Sequence, residues 1–579
     1  MKFKLLATSL AVSLALTGCA MQQNQSTQTT AQQEQVNKAD DRVFSQDYLI
    51  EELENGLRVM VVKTDYPDVV SLQIPVSVGS RNEVEEGKTG FAHFFEHMMF
   101  KGSQKYPEDV YSDILKNSGV DNRAYTTNDY TNYHLNFSKQ HLDKVLELEA
   151  DIFQNLTYTE EQFRTEAQTV KGEYLKNNAS PIRKLLSAVR EEAFDKHTYK
   201  HTTMGFFKDI EAMPDQMAYG KEFFAKFYKP EYVSLVIVGD VDPQATMAMV
   251  KKHWGSWKKG NYVADIKAEP VQQAPKYLHQ QDEALPGHWL LVSYKGAAWE
   301  PAKKDRAALD LISQLYFSSN SDLYQELVVD KQIASQMFTY NPETKDPGLL
   351  HVFVKVENAG DLATARDAIN RTYAKARTEL VDEQKLSVLK SNLKYSFING
   401  LDSSQAIAST LASYMHFERD PEVINQLYKS ADNITSADIK AVANKYFTDN
   451  ARTTLTMSAL DKAPGFEQEV NLNALTAKLE QAPAAPAFKV LDKTNSSPLI
   501  DVNFLFNTGA AADPQGKKGV AALTAAMLAQ GGSEATSYKD IQKALYPLAG
   551  SFGYQIDKEM LSFQGRIHKD NAAQWYSLV

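Results

Sequence analysis

The 579-residue sequence predicts an α+β protein of repeated domains, each a mainly antiparallel sheet packed with helices. Three observations carry this reading. Short alternating apolar segments joined by turn pairs read as antiparallel hairpins, and long helical stretches are interleaved with them. The chain is too long for one compact core, and length alone suggests about three or four domains. Finally, a glycine-framed segment in the first unit recurs without a gap near the C-terminal end.

Taken in order, residues 1–18 combine a basic start, an apolar run too short for a stop-transfer helix, and small residues before Cys19. Leu16-Thr17-Gly18-Cys19 resembles the lipobox of bacterial lipoproteins. That resemblance implies cleavage before Cys19 and acylation of its sulfur. Ala20, a non-Asp residue after the cysteine, implies sorting to the outer membrane of a bacterial envelope, facing the periplasm. Cys19 is the only cysteine, so no disulfide within the chain is possible. Residues 19–44 are polar and read as a flexible tether.

A first folded unit is expected over 45–262. Asn55-Gly56 introduces a hairpin, and "VVSLQIPVSVGS" is a strand. "EDVYSDILKNSG" is a helix closed by Gly119. "RAYTTNDYTNYHLNF" reads as two strands turning at Asn128-Asp129. Thr159 is a plausible N-cap for a helix over 159–178, and "EYVSLVIVGDVDP" is a buried strand. A Pro- and Gln-rich stretch separates this unit from a second, 276–465. Residues 466–495 read as a linker, and a third unit spans 496–579. The net charge of −11 disfavours nucleic-acid binding.

The recurring segment is "EEGKTGFAHFFEHMMFKG" (85–102), which lies over "PQGKKGVAALTAAMLAQG" (514–531). Gly87, Lys88, Gly90, Ala92, Met98 and Gly102 meet identical residues. His93, Glu96 and His97 meet Ala522, Ala525 and Ala526. The helix therefore does not need the polar trio in order to pack, which assigns the trio to chemistry. His93 and His97, four apart, share one helical face and suit a single Zn²⁺. Glu96 is placed to deprotonate water in an inverted H-x-x-E-H zinc motif. For the third ligand the residues offer His134, His141, Glu166 and Glu173.

The chain resembles the pitrilysin/insulysin (insulinase-like) family of zinc metallopeptidases. The resemblance rests on "GFAHFFEHMMFKG", "NRAYTTNDYTNYH", "EAQTVKGEYLKNNASP" and "YKPEYVSLVIVGDVDP", in order over 45–260. It implies one zinc per chain, held by His93, His97 and Glu173, with Glu166 supporting the ligands and Glu96 as catalytic base. It implies peptide or unfolded polypeptide substrates, bound as an added strand along Asn122, Ala124 and Tyr125. Arg123 departs from the family there, where Asn is usual. Residues 276–465 resemble the family's non-catalytic domain more weakly, with Asp322 where Arg is common. The family encloses substrate between two halves of a clamshell. By that pattern the second half is incomplete in this chain, and a missing C-terminal half or a partner subunit is expected for full activity. The alternatives are a silent binding or assembly subunit on the same fold and a processing peptidase of narrow specificity.

Overall fold

The computed structural model describes residues 42–480 and 499–579, apart from positions 468, 507 and 534. The expected signal sequence, Cys19 and nearly all of the tether lie outside the described residues.

The first unit is a six-stranded sheet in the order β1-β2-β6-β3-β5-β4. Its strands are β1 (Tyr48–Glu52), β2 (Arg58–Lys63), β3 (Val69–Val76), β4 (Asp121–Thr126), β5 (Thr131–Ser138) and β6 (Ser234–Gly239). Gly56, at φ +87°, makes the β1–β2 turn, as the Asn55-Gly56 pair predicts. Only β2 and β6 run parallel. β6 is buried along its whole length, as its unbroken apolar run requires, and β4 is an outer edge.

A second sheet, β7-β11-β8-β10-β9, contains β7 (Lys276–Gln281), β8 (His288–Lys295), β9 (Ala334–Tyr340), β10 (Leu349–Val356) and β11 (Arg452–Ser458). Its order and pairing senses reproduce β2-β6-β3-β5-β4, including one parallel pair. A third sheet, β12-β14-β13, joins β12 (Leu499–Phe506), β13 (Ser551–Ile556) and β14 (Leu561–His568). It reproduces β3-β5-β4. Sequence comparison located the repeat only between the first and third units. The topology extends it to the second, where no residue pattern betrays it.

Two connecting segments are more ordered than their composition predicts. The Pro- and Gln-rich stretch after the first unit ends in β7. Within it, Glu269 accepts the backbone N–H groups of Asp195, Lys196 and His197 and pairs with Lys295 at 2.8 Å. The expected linker 466–495 begins with a helix, Leu472–Glu480, instead of a loose connection. Leu472 is buried in the second core, and Asn473 accepts from Arg377 at 2.8 Å.

The first two units exchange helices. Pro181–Ala193, from the first unit, lays Leu185 and Val189 on Leu291, Phe353 and Leu455 of the second sheet. Ser404–Glu418, from the second, lays Ile407, Leu411 and Met415 on Met60, Val62, Val236 and Val238 of the first. Each sheet thus has one face covered by the other unit.

Candidate metal centre

The helix Phe91–Met98 separates packing from chemistry by its period. Phe91, Phe94, Phe95 and Met98, at i, i+3, i+4 and i+7, are fully buried. Phe94 meets Phe163 edge-on at 4.8 Å, and Phe95 stacks on Phe223 at 5.3 Å. The remaining stripe carries His93, Glu96 and His97. The helix starts at Gly90, whose φ of +89° suits glycine. Just before it, Glu83 accepts the N–H groups of Gly90 at 2.8 Å and Ala92 at 2.7 Å, filling orphan donors of the first turn.

The second element is the helix Glu160–Asn177, opened by a capping box between Thr159 and Gln162. Glu166 and Glu173, two turns apart, both face the histidines. One oxygen of Glu173 lies 3.5 Å from Nε2 of His93 and 3.5 Å from Nε2 of His97. All three ligand atoms fall within 4.8 Å of one another. Among the described residues no other such cluster of His, Cys, Asp and Glu occurs. Of the four candidates for a third ligand, the fold brings Glu173 to this point. His134 lies on β5, tilted against Tyr125, and His141 ends a short turn beside Gln140.

Glu166 sits behind the cluster. It binds Nδ1 of His97 at 2.8 Å and Lys101 at 2.8 Å. The hydrogen bond from His97, together with Lys101, holds its carboxyl down at about 2. Burial disfavours a charged His97, but the hydrogen bond and charge of the ionised Glu166 outweigh it and raise its pKa. Glu166 fixes one proton on Nδ1, and a metal at Nε2, which faces Glu173, takes the place of the other. Burial, with the charge of His97, holds His93 down at about 4, so its imidazole is neutral and able to ligate. One neutral imidazole, a second that gives up its Nε2 proton to the metal, and one carboxylate oxygen at this spacing fit Zn²⁺ with a position left open.

Glu96 lies on the same stripe. Burial raises its pKa, which suits a base working near neutrality. Thr126, the last residue of β4, donates its hydroxyl to Glu96 at 2.6 Å. Asn177 donates to the other oxygen of Glu173 at 3.1 Å, orienting it. Sequence reasoning missed the contact of Thr126 with Glu96, and it missed Lys101 and Asn177. Asn177 follows Glu173 by four residues on one helix, and that spacing was the available signal.

The three expected substrate contacts lie on β4, the free edge, with Thr126 at its metal end. Their side chains are otherwise engaged. Asn122 donates to the Tyr111 hydroxyl at 2.9 Å, Ala124 packs on the core, and the Tyr125 hydroxyl meets that of Tyr130 at 3.0 Å. Arg123 is exposed and pairs with Asp121. The edge therefore offers its backbone. A cavity of about 410 Å³ begins at Thr126 and reaches the second unit at Tyr340, Glu343 and His416.

This fold and this site define a class. The chain belongs to the insulinase family, peptidase family M16: residues 58–205 match the description "Insulinase (Peptidase family M16)" and residues 221–393 match "Peptidase M16 inactive domain". It is 31% identical over 410 residues to the zinc protease PqqE of Helicobacter pylori, covering 70% of this chain and 91% of that protein. An uncharacterized zinc protease of Bacillus subtilis, YmxG, is 21% identical over 400 residues, covering 69% of this chain and 95% of that one. Among solved structures, a protease from Helicobacter pylori superposes with a TM-score of 0.66 at 29% identity, covering 71% of this chain and 99% of that chain. The periplasmic protease PqqL from Escherichia coli shares the fold, with a TM-score of 0.61 at 17% identity over 92% of this chain and 65% of that chain. The expected α+β repeat architecture and the insulinase-like family both hold.

Proposed function

We propose that this chain is a zinc-dependent endopeptidase that hydrolyses peptides or unfolded polypeptides. The observation that carries the reading is the convergence of His93, His97 and Glu173 within 4.8 Å, with Glu96 on the same helical stripe. His93, His97 and Glu173 would hold one zinc ion. When bound, zinc polarises the scissile carbonyl and lowers the pKa of water toward about 7. The backbone edge of β4 takes the substrate as an added strand and brings its carbonyl to the end of the edge marked by Thr126. Glu96 removes a proton from the attacking water and returns it to the leaving amine, while Thr126 orients the carboxylate. Glu166 keeps His97 in the ligating tautomer throughout.

We also propose that lipidated Cys19 anchors the protein to the bacterial outer membrane on its periplasmic side. The sequence supports this, and no helix among the described residues is long and apolar enough to cross a membrane. Cys19→Ser should then leave the membrane fraction.

The deciding experiment for the enzyme is Glu96→Gln. The variant should keep one zinc per chain by elemental analysis and lose peptide hydrolysis by about 10²-fold or more. Full activity in a folded, zinc-loaded Glu96→Gln protein would overturn the mechanism.

A further inference from the structure

The helix Pro181–Ala193 divides its faces as the metal-bearing helix does. Leu185 and Val189 are fully buried against the second sheet. Arg183, Leu186 and Arg190, at i, i+3 and i+7, form another stripe and line the cavity that begins at Thr126. Arg183 is exposed, and it stands near enough to the metal ligands for its charge to act on His93. Arg190 is only 8% exposed. Its Nη1 donates to Asn128 at 2.8 Å and to the backbone oxygen of His201 at 3.3 Å, and neither acceptor is a carboxylate.

Asp129, whose charge reaches Arg190, is already held by the Tyr199 hydroxyl at 2.6 Å, the backbone N–H of Lys345 at 3.1 Å and Arg81 at 3.8 Å. Glu343, on the wall contributed by the second unit, is exposed to solvent. Among the described residues neither Arg183 nor Arg190 has an ion pair with a carboxylate. A guanidinium is charged at any physiological pH. One buried without a counter-ion is costly until an anion arrives. Thr202 and Thr203 add hydroxyl donors to the lining, and about 410 Å³ gives room for a side chain or for the end of a peptide.

We propose that this cavity receives a carboxylate of the substrate, ion-paired to Arg183 and Arg190. The proposal rests on the peptidase reading for its setting. The carboxylate comes from an acidic side chain or from the C-terminus of a short peptide. Seven residues span about 10 Å of helix, a gap that two long arginine side chains close on one anion. Their planar forks match the two oxygens of a carboxylate. The bound carboxylate takes one fixed place relative to the scissile bond, because the cavity starts at Thr126, the residue that touches Glu96.

The test uses the zinc-loaded protein and end-blocked peptides in which one glutamate is moved through a neutral sequence. Glutamine peptides serve as the reference, and cleavage sites are mapped by mass spectrometry. A second arm compares neutral peptides with a free and an amidated C-terminus. In at least one arm the wild type should cut at a fixed offset from the carboxylate, with kcat/KM tenfold or more above the uncharged counterpart. The arm that shows the preference identifies the source. Arg183→Gln and Arg190→Gln should each bring the ratio toward one. The ratio is insensitive to a general loss of activity, and exposed Arg183 gives the answer even if the Arg190 variant fails to fold. A ratio of one in both arms, or a ratio that Arg183→Gln leaves unchanged, would overturn the proposal. If the wild type cut no peptide, the peptidase reading would fail, and fluorescence anisotropy with the same labelled peptides would decide the proposal separately. Tenfold tighter binding of a carboxylate-bearing peptide to wild type than to Arg183→Gln would uphold it, and equal binding would sink it.

Discussion

Glu166 accepts from Nδ1 of His97 at 2.8 Å while its other oxygen meets Lys101 at 2.8 Å, so the carboxylate behind the metal ligands is ionised on both counts. Glu166→Gln keeps the shape and removes the charge. It should weaken zinc binding by about 10–100-fold, as loss of a carboxylate behind a ligating histidine does. Hydrolysis should recover with added zinc. The measurement is zinc affinity by competition with a chromophoric chelator, and unchanged affinity would reject the role.

The same group gives a pH dependence for the metal-free protein. Its folded pKa, lowered to about 2, lies below the usual glutamate value of about 4.3. The stability it contributes is present above about pH 4.3 and is lost as pH falls toward 2. Glu166→Gln should flatten that part of the acid-denaturation curve. Circular dichroism during an acid titration of both proteins checks it.

The metal site was largely legible because three of its parts sit on one helix, where spacing reports facing. His93, Glu96 and His97 are adjacent in sequence, and their alanine counterparts at 522, 525 and 526 expose the trio as dispensable for packing. Glu173 was different. Spacing left four candidates; the family resemblance pointed to Glu173, and the approach of the two helices brings it to the histidines. The contact of Thr126 with Glu96 was invisible because the two are 30 residues apart, across a strand-to-helix contact that no local period encodes. The second unit's copy of the fold was hidden for a related reason. Strand order is set by long-range pairing, and different apolar sequences satisfy the same pattern.

Thr126 supplies the next prediction. Its hydroxyl stabilises the ionised form of Glu96, against burial, which favours the neutral form. Thr126→Val removes that donor, so the pKa of Glu96 should rise further. A base must be ionised to act, so the acid limb of the kcat/KM profile should move to higher pH. Zinc content should stay constant. A profile that keeps its position while the whole rate falls would assign Thr126 to substrate placement instead.

Gly90 and Gly519 start equivalent helices at φ +89° and +94°. Glu83 caps the first helix through Gly90 and Ala92, and Asp513 caps the second through Gly519 and Ala521. The surroundings differ. A Cβ on Gly90 would lie 2.4 Å from Ile210 and 3.1 Å from the backbone oxygen of Met204, whereas one on Gly519 meets nothing within 4 Å. Both alanine variants carry a backbone cost of about 1–2 kcal/mol. Gly90→Ala should additionally displace the helix that bears His93 and His97 and lower zinc affinity. Gly519→Ala should leave zinc affinity unchanged. Equal effects of the two on zinc binding would show that the start of the first helix does not set the site.

The exchanged helices make the final prediction. Leu185 and Leu411 are fully buried, each on the sheet of the other unit. Truncating either to alanine removes apolar contact and leaves a cavity, at about 2–5 kcal/mol. Each variant should lower the thermal midpoint of the whole protein, because neither sheet has another cover for that face. By the same argument, residues 42–262 expressed alone should aggregate. They would expose Met60, Val62, Val236 and Val238, which the helix Ser404–Glu418 now covers. Size-exclusion chromatography and a thermal melt of that piece give the answer. A monodisperse fragment with a cooperative melt would mean that the first unit buries its sheet without help, and that the exchange serves only to hold the cavity wall carrying Glu343 against the metal site.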